Sequence, residues 1–138
     1  MSEERARKPR PAPGMDQETE PYWKATHDGR LLVQRCRSCG HHQLYPRWRC
    51  LRCRSEVDWV EASGRGAVYS FTVIRQNFSR SFKHLIPYVV ALVELEEGPR
   101  LMTNIVGCPP EDLRIGMPVR VTFEPVSDEV SLPLFQPA

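Results

Sequence analysis

The sequence lacks any apolar run near the roughly 18 residues that a membrane-spanning helix needs. Residues 1–15 are charged and proline-rich, without the apolar stretch of a secretory signal. A soluble, cytoplasmic protein is therefore expected. Glycine is scarce, at eight residues against thirteen prolines, which disfavours long helices and favours strands, turns and stiff loops. At 138 residues the chain is too short for a barrel enzyme of about 250, and suits one domain, or a small one with a satellite. Also missing are a G-x-S-x-G nucleophile turn, a phosphate-cradling glycine loop, an H-E-x-x-H helix and any internal repeat.

What is present is ordinary in bulk and uneven in distribution. Apolar residues make up 41%, enough for a modest core. The net charge is only +2, but residues 30–83 hold eleven Lys/Arg against three acids, and residues 84–138 hold three against eight. A basic stretch suggests a phosphate-bearing partner. The plainer reading is a solvated face whose countercharge comes from elsewhere in the fold.

Four of the five cysteines fall as Cys36-x-x-Cys39 and Cys50-x-x-Cys53, with ten residues between the pairs. Thiolates two residues apart on a tight turn can face one ion, and two such turns complete a tetrahedral four-cysteine site. Gly40 follows the first pair, where a knuckle needs positive φ. Disulfides are disfavoured by the expected reducing compartment. One Zn²⁺ per chain is expected, although a rubredoxin-type iron site uses the same spacing. A closed shell of four thiolates makes the metal structural, not catalytic. Arg37, Arg47, Arg49, Arg52 and Arg54 crowd the knuckles, and two of them suffice to neutralise a zinc tetrathiolate. Metal binding can contribute about 10–16 kcal/mol to ordering a segment with little core of its own.

The remaining pattern is mostly β. Residues 1–15 read as a disordered arm. Residues 16–34 hold a short helix, Glu20 to Asp28, capped by Thr19, with Pro21 in its first turn and Gly29 past its end, then a lead-in strand, Leu31 to Gln34. Residues 35–60 form the four-cysteine zinc ribbon, and residues 61–138 the barrel domain. Val57 to Glu61 alternates as a half-buried strand does. After a turn at Ser63 to Gly66 come Ala67 to Ile74, Tyr88 to Leu95, Leu101 to Val106 and Val119 to Pro125, with one helical turn at Pro110 to Leu113. Five short strands suggest a small Greek-key barrel of the OB type.

The order of motifs carries a resemblance. Tyr22-Trp23 lies on a helix before Arg35-Cys36-x-x-Cys39-Gly40. Tyr45-Pro46-Arg47, Cys50-x-x-Cys53, Trp59 and Ser63-Gly64-Arg65-Gly66 follow, leading to Tyr69-Ser70-Phe71-Thr72-Val73. Further on stand Pro87-Tyr88-Val89-Val90-Ala91-Leu92-Val93-Glu94-Leu95-Glu96-Glu97-Gly98 and Ile115-Gly116-Met117-Pro118-Val119. Over about residues 20–136 the chain resembles the zinc-ribbon plus OB-fold proteins of domain of unknown function thirty-five, the acyl-CoA-associated type. That resemblance implies an N-terminal short helix, a rubredoxin-like zinc ribbon and a C-terminal five-stranded OB-fold barrel. It also implies a non-catalytic subunit that accompanies a thiolase-like thiolase, aldolase or condensing enzyme and helps form its acyl-CoA site. About the arm at residues 1–15 it says nothing.

Candidate residues follow. Arg75, Arg80 and Lys83, interleaved by Phe78 and Phe82, lie between two barrel strands and suit the phosphates and adenine or acyl chain of coenzyme A. Tyr22 and Trp23, on a helix too short to stand alone, are expected to meet the partner together with the ribbon. The rival is that Trp23 docks on the chain's own barrel. His41, His42 and His84 read as loop residues, and Cys108 as a loop thiol without an activating base. The competing function is single-stranded nucleic-acid binding, with Tyr69, Phe71, Phe78 and Phe82 as stacking platform. The acidic C-terminal part and the resemblance both argue against nucleic acid.

Overall fold

A computed structural model describes residues 10–138. One short helix, α1 (Glu20–His27), precedes eight strands: β1 (Leu32–Cys36), β2 (His42–Gln43), β3 (Val57–Glu61), β4 (Arg65–Ile74), β5 (Tyr88–Leu95), β6 (Arg100–Ile105), β7 (Pro118–Pro125) and β8 (Ser131–Pro137). Single 3₁₀ turns occupy Lys83–Leu85 and Pro110–Asp112. No helix among the described residues is long and apolar enough to cross a membrane.

The strands form two sheets. β2-β1-β3 is a small antiparallel sheet, and β4-β5-β6-β8-β7 closes into a barrel. This is the mostly β architecture expected, a ribbon ahead of a five-stranded OB-like barrel. The identity of the fifth barrel strand corrects the expectation. Val57–Glu61 pairs along its whole length with β1, from Leu32↔Glu61 to Cys36↔Val57, and so belongs to the ribbon sheet. The missing barrel strand is Ser131–Pro137, paired antiparallel with β7 from Val119↔Pro137 to Pro125↔Ser131 and parallel with β6 at Ile105↔Phe135. Pro133 and Pro137 conceal it, because proline removes a ladder donor and reads as a strand breaker.

Alternation fills the barrel. Val89, Ala91, Val93 and Leu95 of β5 point inward, as do Leu101 and Ile105 of β6, Val119 of β7 and Phe135 of β8, whose ring has no exposed surface. The one inward polar residue of β6, Thr103, donates its hydroxyl to the Pro133 carbonyl at 2.9 Å, which satisfies it. On β4 a bulge at Tyr69 shifts the register between Val68↔Val93 and Ser70↔Leu92. Alternation thus restarts. Val68 is buried, Tyr69 turns outward, and Phe71 and Val73 pack on the core. Tyr69 therefore does not share a face with Phe71, as unbroken alternation would require.

The helix docks on this core. Tyr22 is 3% exposed and clusters with Leu31, Val33 and the barrel residues. The Thr26 hydroxyl accepts from the Ser131 N–H at 3.2 Å and donates to the Trp23 carbonyl. Thr19 takes the N-cap position without a side-chain cap. Asp16, one turn earlier, accepts from the Thr19 N–H at 2.8 Å instead. Gly29, at φ 71°, ends the helix, with Gly29 N–H on the Thr26 carbonyl and Arg30 N–H on the Ala25 carbonyl, a Schellman closure.

Of the expected arm, residues 1–9 lie outside the described residues. Residues 10–15 have no regular structure, yet Arg10 is anchored. Its guanidinium donates to the Asn104 side chain at 2.6 Å, lies 3.5 Å from a Glu124 carboxylate and sits over the Phe82 ring.

Gly66 is the residue that closure depends on. It pairs with Leu95 of β5 on one side and Val119 of β7 on the other. A Cβ there would lie 2.5 Å from the Glu94 carbonyl oxygen and 2.8 Å from Val93. Because the obstacle is backbone, Gly66→Ala is expected to cost about 3 kcal/mol, read as a lower urea midpoint with an unchanged slope.

Candidate metal centre and the surfaces beside it

The two Cys-x-x-Cys turns are built alike. Cys36 N–H bonds the His41 carbonyl and Cys50 N–H the Ser55 carbonyl, each five residues on. Gly40 N–H returns to Cys36 and Arg54 N–H to Cys50. Both residues after the turns are left-handed, Gly40 at φ 73° and Arg54 at φ 64°. Backbone N–H groups of Ser38 and Cys39 point at Cys36 Sγ, and that of Arg52 at Cys50 Sγ, all at 3.3 Å. Donors aimed at sulfur favour thiolate.

The four Sγ atoms lie within 4.8 Å of one another, with Cys36–Cys53 at 3.4 Å and Cys39–Cys50 at 3.7 Å. A tetrahedral ion with metal–sulfur bonds of about 2.3 Å separates its sulfurs by about 3.8 Å. The donor set fits. The Ser55 hydroxyl and N–H hold the Cys53 thiol down to about 6, and the Cys53 N–H lowers Cys50. Cys39 goes the other way, to about 11, because against the His41 N–H stand desolvation and three neighbouring thiols. Four sulfurs this close cannot all ionise unless a cation sits among them. Zn²⁺ is the structural metal that this closed tetrathiolate holds.

Two buried glutamines, which the sequence reading missed, hold the second knuckle against the first. Gln34 of β1 accepts the Arg47 N–H at 2.9 Å and donates to the Arg47 carbonyl at 2.8 Å. Gln43 of β2 donates to Gln34 at 2.9 Å and to the Arg49 carbonyl at 3.1 Å, and accepts the Leu51 N–H at 2.9 Å. Every polar atom of the two side chains is engaged on the loop or on each other. Gln34 alone left a signal, as a glutamine in the apolar run Leu31 to Gln34, where a buried amide needs a partner; Gln43, in a two-residue strand after two histidines, left none.

The arginines around the knuckles divide. Arg37 pairs with Glu56 and Asp58, Arg49 approaches Glu56 at 3.9 Å, and Arg47 approaches Glu18 at 3.7 Å. Among the described residues Arg52 and Arg54 have no carboxylate partner, which leaves them to face the tetrathiolate charge or another molecule.

The remaining expected site residues are partly dispersed. Tyr22 is withdrawn from the face expected to meet a partner. Its ring fills the chain's own core, and burial raises its hydroxyl well above the usual phenol range. The reason is that β1 and β8 supply the apolar surface the short helix needs. Trp23 packs edge-on against Tyr22 and lines a cleft of about 260 Å³ with Tyr45, Pro46, Arg47, Met102 and Leu132. Arg75, Arg80 and Lys83 are exposed on the β4–β5 connection, with no carboxylate partner among the described residues. Phe78 beside them is 80% exposed. Phe82 is not free. It stacks on Tyr88 at 5.8 Å and carries Arg10 on its other contact. Tyr69 is capped by the Arg100 guanidinium at 3.7 Å, and Cys108 packs on the core, where burial pushes its thiol up.

Replacing Cys39 or Cys50 with Ser is expected to lose the ion, read as zinc per chain by metal analysis. The ribbon should then lose protection in hydrogen exchange while β5 and β6 keep theirs. Acidification should release zinc as the thiolates protonate.

Residues 23–59 match the ChsH2 rubredoxin-like zinc ribbon domain, and residues 59–124 the ChsH2 C-terminal OB-fold domain. The chain is 40% identical over its whole length to a probable enoyl-CoA hydratase alpha subunit of Thermomonospora curvata, of which it spans 43%. It is 38% identical over 72% of its length to a DUF35 domain-containing scaffold protein of Methanocaldococcus jannaschii, covering 71% of that protein. Among solved structures it superposes on a chain of the Ltp2-ChsH2(DUF35) aldolase with a TM-score of 0.82 and 40% identity, over 91% of this chain and 98% of that one. With both domains matched in order, a four-cysteine ribbon and an OB barrel sharing one core, the chain belongs to the ChsH2-type DUF35 family of zinc-ribbon plus OB-fold proteins.

Proposed function

We propose that this chain is a non-catalytic subunit that joins a thiolase-like enzyme subunit, of aldolase, thiolase or condensing type, and contributes to its acyl-CoA site. The observation that carries this reading is the 98% coverage, at 40% identity, of a chain in a two-component aldolase. A hydratase alpha subunit as a further relative keeps the chemistry among acyl-CoA enzymes. The zinc has a closed shell and serves the fold, so the chain's role is to assemble and to bind.

The β4–β5 connection is the segment offered for the ligand. Arg75, Arg80 and Lys83 present three cations to solvent beside the exposed Phe78 ring. Loops between strands of an OB barrel are its usual ligand-facing elements. Diphosphate and 3′-phosphate groups are matched by guanidinium and ammonium donors, and an aromatic ring suits adenine or an acyl chain. The nucleic-acid reading has less support. Of its four aromatic residues, Phe71 packs on the core, Tyr69 is capped by Arg100, and Phe82 is stacked within the chain. A stacking platform needs several free rings.

In the complex reconstituted with its enzyme subunit, the Arg80→Ala/Lys83→Ala double variant is expected to raise the KM for acyl-CoA about tenfold with kcat within a factor of two. That is the pattern of lost uniform binding. An unchanged KM in an intact complex removes the loop from the site.

A further inference from the structure

We infer that the tip of the second zinc knuckle, Trp48 and Leu51 with Arg52 beside them, is the docking knob by which this chain seats in an acid-rimmed apolar pocket of its enzyme subunit. The inference rests on the partner-subunit reading above and adds the surface and the chemistry of what it meets.

Three observations carry it. Trp48 and Leu51 are 65% and 67% exposed, and among the described residues no ring or guanidinium stacks on Trp48. Phe78 on the β4–β5 loop is similarly bare, whereas the outward tyrosines are engaged. Tyr69 lies under Arg100, and Tyr45 takes the Met102 N–H on its hydroxyl. Large apolar side chains left bare three residues apart on one loop are the usual mark of an interface.

The backbone beneath them is not loose. Arg47 is tied by both its N–H and its carbonyl, Arg49 by its carbonyl and Leu51 by its N–H, all to the buried Gln34–Gln43 pair. Cys50 in their midst is a metal ligand. Trp48 is thus held outward between two fixed residues. A side chain presented from a rigid loop loses little freedom on binding.

The charge pattern selects the occupant. Arg52 and Arg54 follow the apolar pair on the same knuckle without a carboxylate partner among the described residues, so a pocket rimmed by Asp and Glu completes them. Trp and Arg are also the residue types that dominate interface energies. A polyanion is the weaker fit. Arg37, Arg47 and Arg49 already lie against Glu56, Asp58 and Glu18, which leaves two cations for a backbone that carries a charge at every nucleotide.

The test uses immobilised Ltp2, the other component of the aldolase relative, as probe and the zinc-loaded full chain as analyte. Trp48→Ala/Leu51→Ala is expected to weaken binding at least about 30-fold, with one zinc per chain and an unchanged melting temperature. Arg52→Glu should weaken it about tenfold, mainly through slower association, and flatten its dependence on salt. Ile115→Ala, a bare side chain on the β6–β7 connection, should bind as wild type. Full binding by the Trp48/Leu51 variant, with wild type also bound, overturns the docking knob and leaves the partner reading standing. No binding by wild type overturns both. Tight wild-type binding to a labelled oligothymidylate that Trp48→Ala abolishes assigns the tip to nucleic acid and overturns the inference as well.

Discussion

Hydrogen bonding on both sides of β4 is the constraint that the rest of the molecule accommodates. Over Arg65 to Ala67 the strand is bonded to β7, while from Gly66 onward it is bonded to β5. Where the two ladders overlap β4 lies so close to β5 that a Cβ at residue 66 would meet the Glu94 carbonyl oxygen and the Val93 side chain, hence Gly66. The two ladders also force the strand to bend as it passes from one to the other. The bulge at Tyr69 supplies part of that bend, and in doing so turns one aromatic out and two inward residues back to the core. A barrel this small has no open edge to protect. Its outer surface, and the loop that leaves β4 at Ile74, are therefore free for binding.

The ribbon is not a separate body tethered to that barrel. Val33 of β1 is fully buried in the same cluster as Val93 and Phe135, and Ala62 N–H bonds the Leu31 carbonyl where ribbon and barrel meet. What the ribbon lacks is a core at its far end, where the knuckles are. There the metal and the glutamine pair take the place that apolar burial holds elsewhere. The division explains why arginines can be so dense around the cysteines. Nothing there is dry except two amides and the sulfurs of Cys36 and Cys50.

Much of this was legible in the sequence, for identifiable reasons. Val57–Glu61 and Tyr88–Leu95 are bounded as read, because each is a short alternating run between turn residues. The metal ligands and the positive φ at Gly40 follow from knuckle geometry alone. Three things were hidden. β8 was concealed by Pro133 and Pro137, which a strand tolerates only in pairing positions that a linear reading does not reveal. The role of Gln34 and Gln43 depends on a loop closing over them from thirteen and eight residues away. The destination of Tyr22 was ambiguous because a short helix shows its apolar side without showing what covers it. For the loop from Arg75 to His84 the sequence names the charges, and the fold adds that Phe82 is engaged by Arg10 and Tyr88.

The topology also has a consequence for synthesis. In chain order, β8 is the last strand of the barrel to leave the ribosome, yet in space it sits between β6 and β7. Until it arrives, those two strands present open edges, and the cavity that Phe135 will fill stays wet. The ribbon, by contrast, is translated first and needs only residues up to Glu61 to pair β1 with β3. A nascent chain can therefore carry a finished metal knuckle at one end and a gaping half-barrel at the other. That interval is when it is most prone to stick to its neighbours.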